Sequence, residues 1–210
     1  MPLRALVSKS VVSRLRDALW LLRGIDLANP KLPEHVESVL FVCKGNICRS
    51  PFAALLARRL AEQVGMSECR IESAGITPSR DGRCPMEAIH AAAVHGVDLS
   101  PHQPSQLDAP LGQEFDLIVV MDAEQFSLLR GRWPFWNGKI VLLSLLDPVS
   151  VSPFLRYNIV DPFGRPRDAF DVCYERLERS VRKLLLTLAS KGTRGVPAGA
   201  TGAAGRERLR

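Results

Sequence analysis

The chain has 210 residues, of which 46% are hydrophobic and 24% charged, and a net charge of +6. That mix fits one globular domain with extensions. No run of 18 or more apolar residues appears, so no membrane span is expected, and residues 1–25 scatter charges through what would be the h-region of a secretory signal. Five cysteines, an odd number, suit a reduced thiol set in the cytoplasm better than a disulfide framework. Much of the positive excess lies in the tails: five Lys/Arg against one acid in residues 1–23, and "RERLR" at the end. The balance permits an anionic partner and gives no reason to expect nucleic acid.

Residues 1–37 read as an N-terminal extension. Within it, Val11, Val12, Leu15, Ala18, Leu19 and Leu22 fall at helical spacing, opposite Arg14, Arg16, Asp17 and Arg23. Such an amphipathic basic helix can pack on its own domain, or lie on a membrane surface or a partner. Pro30 and Pro33 break it.

From residue 38 the chain alternates. "SVLFVC" (38–43) is a continuous apolar run, as a strand covered on both faces requires. A helix is expected over 50–65, with Ser50 as N-cap, Pro51 at the first position and Gly65 as the stop. A strand follows at 69–75, and a helix at 85–96 that carries His90 and His95, both read as structural. Next come a buried strand at 115–122, a short helix at 123–131, a strand at 139–146 and a long amphipathic helix at 166–190. The patch "RWPFWNG" (132–138) reads as a packed loop. From about residue 191 the Gly-, Ala- and Arg-rich tail is expected to be disordered. Four rounds of strand and helix predict an α/β fold: a doubly wound, four-stranded parallel sheet with helices on both faces. Ligands of such sheets sit beyond the carboxyl ends of the strands, where the strand order reverses.

The stretch "CKGNICRSP" (43–51) sits at such an end. Between the strand and the helix, successive N–H groups of Lys44, Gly45, Asn46, Ile47 and Cys48 can form an anion-binding nest. The positive end of the helix dipole points at the same spot. Gly45 and Asn46 tolerate positive φ. Arg49 supplies a guanidinium fork matched to two phosphate oxygens. All of this favours the thiolate of Cys43, which is the nucleophilic form. The Ser50 hydroxyl is placed to hydrogen-bond that sulfur. The predicted chemistry is in-line attack of Cys43 on phosphorus, then hydrolysis of a cysteinyl-phosphate. No metal or other cofactor is expected, and no clustered His/Asp/Glu set suggests a metal site.

At these residues the chain resembles the low-molecular-weight protein tyrosine phosphatases. "VLFVCKGNICRSP" matches their signature, with "SAG" (73–75), "HGVDLSPH" (95–102), "FDLIVVMD" (115–122) and "DPFG" (161–164). The resemblance spans residues 38–190 and implies hydrolysis of phosphotyrosine. It also implies that Ser73 and His102 support the cradle, although His102 alone would read as a surface histidine. A general acid is needed, and two Asp-Pro pairs compete, at Asp147 and Asp161. Local sequence leaves both open, since either could simply start a turn. The resemblance favours Asp161, and puts Phe163 at the pocket rim, where the alternative is core packing. It also implies a reversible disulfide between Cys48 and Cys43, where the alternative is a small apolar filler. Ala54 and Ser105 depart from the family, which usually has Glu and Arg there. An arsenate reductase on the same fold would need two further cysteines after the third strand, and "VVMDAEQFSLL" has none. A phosphoprotein-binding module that has lost catalysis is the other alternative. The expected partner is a phosphotyrosine protein; in bacteria such enzymes often act on tyrosine kinases of exopolysaccharide export.

Overall fold

The computed structural model describes residues 28–79, 82–149 and 151–192, together with Leu19. The expected helix within residues 1–37 and the tail beyond 192 therefore lie outside the described residues, Leu19 excepted. The elements run β1 (Ser38–Cys43), α1 (Arg49–Gln63), β2 (Arg70–Gly75), α2 (Met86–Val94), α3 (Ala109–Gln113), β3 (Leu117–Val120), α4 (Ala123–Arg132), β4 (Ile140–Leu142), α5 (Pro153–Arg156) and α6 (Arg167–Gly192).

The four strands form one sheet in the order β2-β1-β3-β4, all neighbours parallel. The order reverses at β1: β2 lies on one side and β3 on the other. Cys43 closes the strand at that switch point, so the fold opens a crevice at the sulfur.

Because side chains alternate along a strand, β1 feeds two cores. Val39, Phe41 and Cys43 join a cluster with α1, α2 and α6 residues such as Phe52, Leu56, Ala91, Tyr174 and Leu177. Leu40 and Val42 join Phe115, Phe126, Leu129 and Trp136 on the other face. The first core is pinned by Phe52 stacked on Tyr174, with centroids 4.0 Å apart, and by His95 edge-on to Phe52 at 5.4 Å. The "RWPFWNG" patch is packed as expected at Trp133 and Trp136, which are buried, while Phe135 faces solvent.

Several boundaries differ from expectation, each for a local reason. The strand predicted over 115–122 spans Leu117–Val120, because Asp116 turns its carboxylate to the N–H groups of Glu37 and Ser38 and Asp122 caps α4. The strand predicted over 139–146 stops at Leu142 and tightens into a 3-10 turn over Leu143–Leu146. Helix α1 starts at Arg49, with Cys48 and not Ser50 as its cap and Pro51 within its first turn; the Ser50 hydroxyl is committed elsewhere, as shown below. Helices α3 and α5 have no counterpart among the predicted elements, although Asp108 and Ser152 cap them with prolines just inside. Helix α6 runs through Gly192 and so overlaps the first residues expected to be disordered.

Residues 28–37 are fastened to the domain. The Asn29 side chain donates to Leu142 O (3.1 Å) and accepts from Leu142 N (2.7 Å), and Lys191 Nζ donates to Leu32 O at 2.7 Å. Among the described residues, no helix is long and apolar enough to cross a membrane.

Candidate active site

The loop after β1 is shaped by its carbonyls. Those of Cys43, Lys44 and Gly45 accept from the N–H groups of Ile76 (3.0 Å), Thr77 (2.9 Å) and Ser79 (3.1 Å). A fourth, on Asn46, accepts from His102 Nε2 at 2.8 Å. In a trans peptide the C=O and the following N–H point in opposite directions. Four carbonyls pulled outward therefore turn the N–H groups of Lys44, Gly45, Asn46 and Ile47 inward. The Asn46 N–H meets Cys43 Sγ at 3.2 Å. Those of Lys44, Gly45, Ile47, Cys48 and Arg49 have no acceptor among the described residues, as an anion nest requires.

Asn46 holds this shape. It is fully buried and has φ of +53°, a conformation asparagine tolerates. Its side chain donates to Ser50 Oγ (2.8 Å) and Ser73 Oγ (2.9 Å) and accepts from the Ser105 N–H at 2.8 Å. Ser50 in turn donates to Cys43 Sγ at 3.0 Å. Gly75 closes the back: a Cβ there would come within 3.0 Å of Asn46 Cβ and 3.1 Å of Lys44 O. The side chains of Asn46 and Ser50, both expected in the phosphate-binding set, thus stand behind the cavity, while the Asn46 N–H still faces Cys43 Sγ. At Ser105, a departure from the family, it is the backbone N–H that makes this contact. Ala54 is buried beside Ser73 and His102 at a hollow of about 210 Å³ behind the cradle. His102 is half-buried and donates through Nε2, since a carbonyl only accepts. Burial pushes its pKa down, against the pull of the Asn46 hydrogen bond.

Arg49 is 3% exposed. Its Nη1 donates to Asp122 Oδ2 (2.8 Å) and to Ile159 O (3.2 Å), and its Nη2 to Asp161 Oδ2 at 2.5 Å. Its Nε is buried without a partner among the described residues. Burial opposes the charge, yet Cys43, Asp161 and Asp122 around it keep the guanidinium above its ordinary pKa. Asp122 is itself fixed, capping α4 through the Gln125 N–H (2.9 Å) and gripped by Gln125 Nε2 at 2.6 Å.

These groups meet in a cavity of about 410 Å³ lined by Cys43, Lys44, Gly45, Ile47, Cys48 and Arg49 of the loop after β1, by Thr77 and Ser79, and by Asp161, Phe163 and Arg165. Phe163 is 59% exposed, which removes it from the core and leaves it at the rim. Cys48 is buried, and burial, followed by the charge of Asp161, pushes its thiol well above the ordinary range. The rival carboxylate, Asp147, lies elsewhere: its side chain is 1% exposed and paired with Arg176 at 2.9 Å and Arg179 at 3.3 Å. Among the described residues, no group of three or more His, Cys, Asp or Glu is placed to hold a metal ion.

Sequence reasoning assigned no role to Asp122, the Ile159 carbonyl, Thr77, Ser79 or Arg165. The one local signal was Asp122 at the end of an apolar strand, where a helix cap is expected.

Fold and loop together place a cysteine inside a cradle of backbone N–H groups, at the switch point of a doubly wound α/β sheet. The sequence model described as "Low molecular weight phosphotyrosine protein phosphatase" matches residues 38–194, and the chain belongs to that family. It is 32% identical over 146 residues to the "Probable low molecular weight protein-tyrosine-phosphatase EpsP" of Ralstonia nicotianae, covering 70% of this chain and 92% of the relative. A crystal structure of the tyrosine phosphatase Wzb from Escherichia coli K30 in complex with sulphate is similar with a TM-score of 0.64 and 28% identity, over 73% of this chain and 99% of that one. So is the structure of a YwlE arginine phosphatase mutant with a phosphorylated active-site serine, with a TM-score of 0.63 and 27% identity over 72% and 95% of the two chains.

Proposed function

We propose that this chain is a protein tyrosine phosphatase that works through a cysteinyl-phosphate on Cys43. The observation that carries this is a sulfur accepting two hydrogen bonds, surrounded by loop N–H groups and an Arg49 Nε that have no acceptor among the described residues. Phosphate oxygens complete that set. In the first step the S–P bond forms, the P–O bond to the phenol breaks, and Asp161 gives its proton to the departing oxygen. In the second, water attacks phosphorus, Asp161 takes a proton from it, and the thiolate leaves toward the Ser50 hydroxyl. The N–H groups and Arg49 carry the charge that develops on the equatorial oxygens. Ile47 and Phe163 offer apolar walls to an aryl ring.

The partner is a phosphoprotein. We place it among phosphotyrosine proteins of the cytoplasm, with a tyrosine kinase of exopolysaccharide export as the specific candidate. Within the cradle, Cys48 is the partner for a protective disulfide: a peroxide oxidises Cys43 to the sulfenic acid, and the Cys48 thiol condenses with it to form the S–S bond and release water. The test is hydrolysis of para-nitrophenyl phosphate and of phosphotyrosine peptides without added metal, blocked by vanadate. Both activities should vanish in Cys43→Ser. Turnover of a phosphoarginine peptide in preference to phosphotyrosine would overturn the aryl specificity, and activity persisting in Cys43→Ser would overturn the covalent route. An Asp161→Ala protein, which binds but turns over slowly, is the trap with which to capture the partner.

A further inference from the structure

At the floor of the cavity Arg49 is paired with Asp122 and Asp161, whereas the exposed cations that line its mouth are not paired among the described residues. Among the described lining residues, Asp161 is the one carboxylate, and Arg49 holds it. Two further cations line the same cavity, Lys44 and Arg165. Both are exposed, and neither side chain has a hydrogen-bond or ion-pair partner among the described residues. Phosphate binding does not account for them, since the loop N–H groups and Arg49 already surround the sulfur.

Both are also carried on rigid backbone. Thr77 N–H fixes the Lys44 carbonyl at 2.9 Å. Arg165 closes a turn, its N–H on Pro162 O at 3.0 Å and Gly164 at φ +71° within it. That turn is tied to the acid loop, because the Phe163 N–H donates to Asp161 Oδ1 at 3.2 Å. Two cations on separate, hydrogen-bonded loops thus line the cavity that a substrate must enter. A peptide that buries its phosphotyrosine in a cavity of about 410 Å³ must lay its neighbouring residues across this mouth.

We infer that Lys44 and Arg165 recognise a second anionic group, a carboxylate or a phosphate, carried on the substrate beside the phosphotyrosine. This rests on the phosphatase function proposed above, and it narrows the substrate to acidic or multiply phosphorylated segments. Exposed charges of this kind steer encounter and select partners more than they add affinity, and the effect is screened by salt.

The test compares kcat/KM on matched phosphotyrosine peptides whose neighbours are Glu, Gln, Lys or phosphoserine, with para-nitrophenyl phosphate alongside. The Glu or phosphoserine peptide should exceed the Gln peptide by roughly three- to ten-fold at low salt, the Lys peptide should fall below it, and the ratios should shrink as salt rises. Preference for either anion supports the inference and names its source. Arg165→Ala should collapse the Glu/Gln ratio, and Arg165→Glu should invert it toward the Lys peptide. Each variant is scored by its own ratio, so a general loss of activity does not mask the result. If the wild-type protein treats Glu, phosphoserine and Gln peptides alike, or if the preference survives in a Lys44→Ala/Arg165→Ala double variant, the inference is wrong while the phosphatase function stands. If para-nitrophenyl phosphate and every peptide remain intact, it is the phosphatase function that has failed.

Discussion

Asp147-Pro148 and Asp161-Pro162 share a dipeptide and a partner type, yet they sit in opposite surroundings. Asp161 is bound to one arginine, its side chain is 40% exposed, and it opens onto the cavity of Cys43. Asp147 is bound to Arg176 and Arg179 and is 1% exposed, under α6. Arg176 also donates to the carbonyls of Asn158 (2.7 Å) and Leu155 (2.5 Å), so it stitches the α5 segment to the long helix. A carboxyl group in the role proposed for Asp161, passing a proton to a bound molecule, needs room and access. One that ties a loop to a helix needs neither. What divides the two loops is solvent and reach, which no dipeptide encodes.

Substitution at these two positions should separate activity from stability. Asp161→Ala should lower kcat on phosphotyrosine by about 10²–10⁴-fold while leaving the thermal midpoint close to wild type. Asp147→Ala strands Arg176 as a buried charge and should cost about 3–5 kcal/mol in denaturant unfolding, with kcat per folded molecule retained. Finding the reverse pattern would exchange the two assignments.

Proton linkage sharpens the contrast. Burial raises the pKa of Asp147, but the hydrogen bonds from Arg179 and Arg176 outweigh it and hold the carboxyl below its ordinary value. Its stabilising contribution is therefore present above the unfolded-state value of about 3.9 and is lost as pH falls through the folded one. An Asp147→Asn protein should show a flatter acid limb when unfolding is followed between about pH 5 and 2.

Asp122 stands between the two extremes, fixed like Asp147 but touching the arginine of the cavity. Asp122→Asn should misalign Arg49 and lower kcat/KM about ten- to a hundred-fold, with a parallel loss of vanadate affinity. His102 is the mildest case. Its pKa is depressed, so it costs no stability above about 6.5 and an increasing amount below. His102→Gln should abolish that acid loss in thermal melts from about pH 7 to 5.

Much of this was legible from residue order where the determinants are local. The apolar runs of β1 and β3, the proline and glycine stops, and the cradle residues from Cys43 to Ser50 are each set within a few neighbours. The cradle's supports are not local. Asp122 reaches Arg49 across 73 positions and Asp161 across 112, and the Ser105 N–H meets Asn46 across 59. Only the strand order brings them together, and a single sequence does not display that order. The choice between Asp147 and Asp161 stays open locally for the same reason, and it is the family resemblance that favours Asp161. The two short helices are a different kind of miss. Their caps and prolines were visible, but each is less than two turns long and has almost no periodicity to read.

Asn29 bears on where such a domain can be cut. By presenting both a donor and an acceptor to Leu142, it occupies the outer flank of β4, one of the sheet's two edge strands, where a foreign segment could join. A protein trimmed to begin at Ser38 would keep every catalytic group and lose that plug. Its bare rim would then be free to recruit another molecule's backbone, so self-association, and not weakened chemistry, is the hazard of shortening this chain.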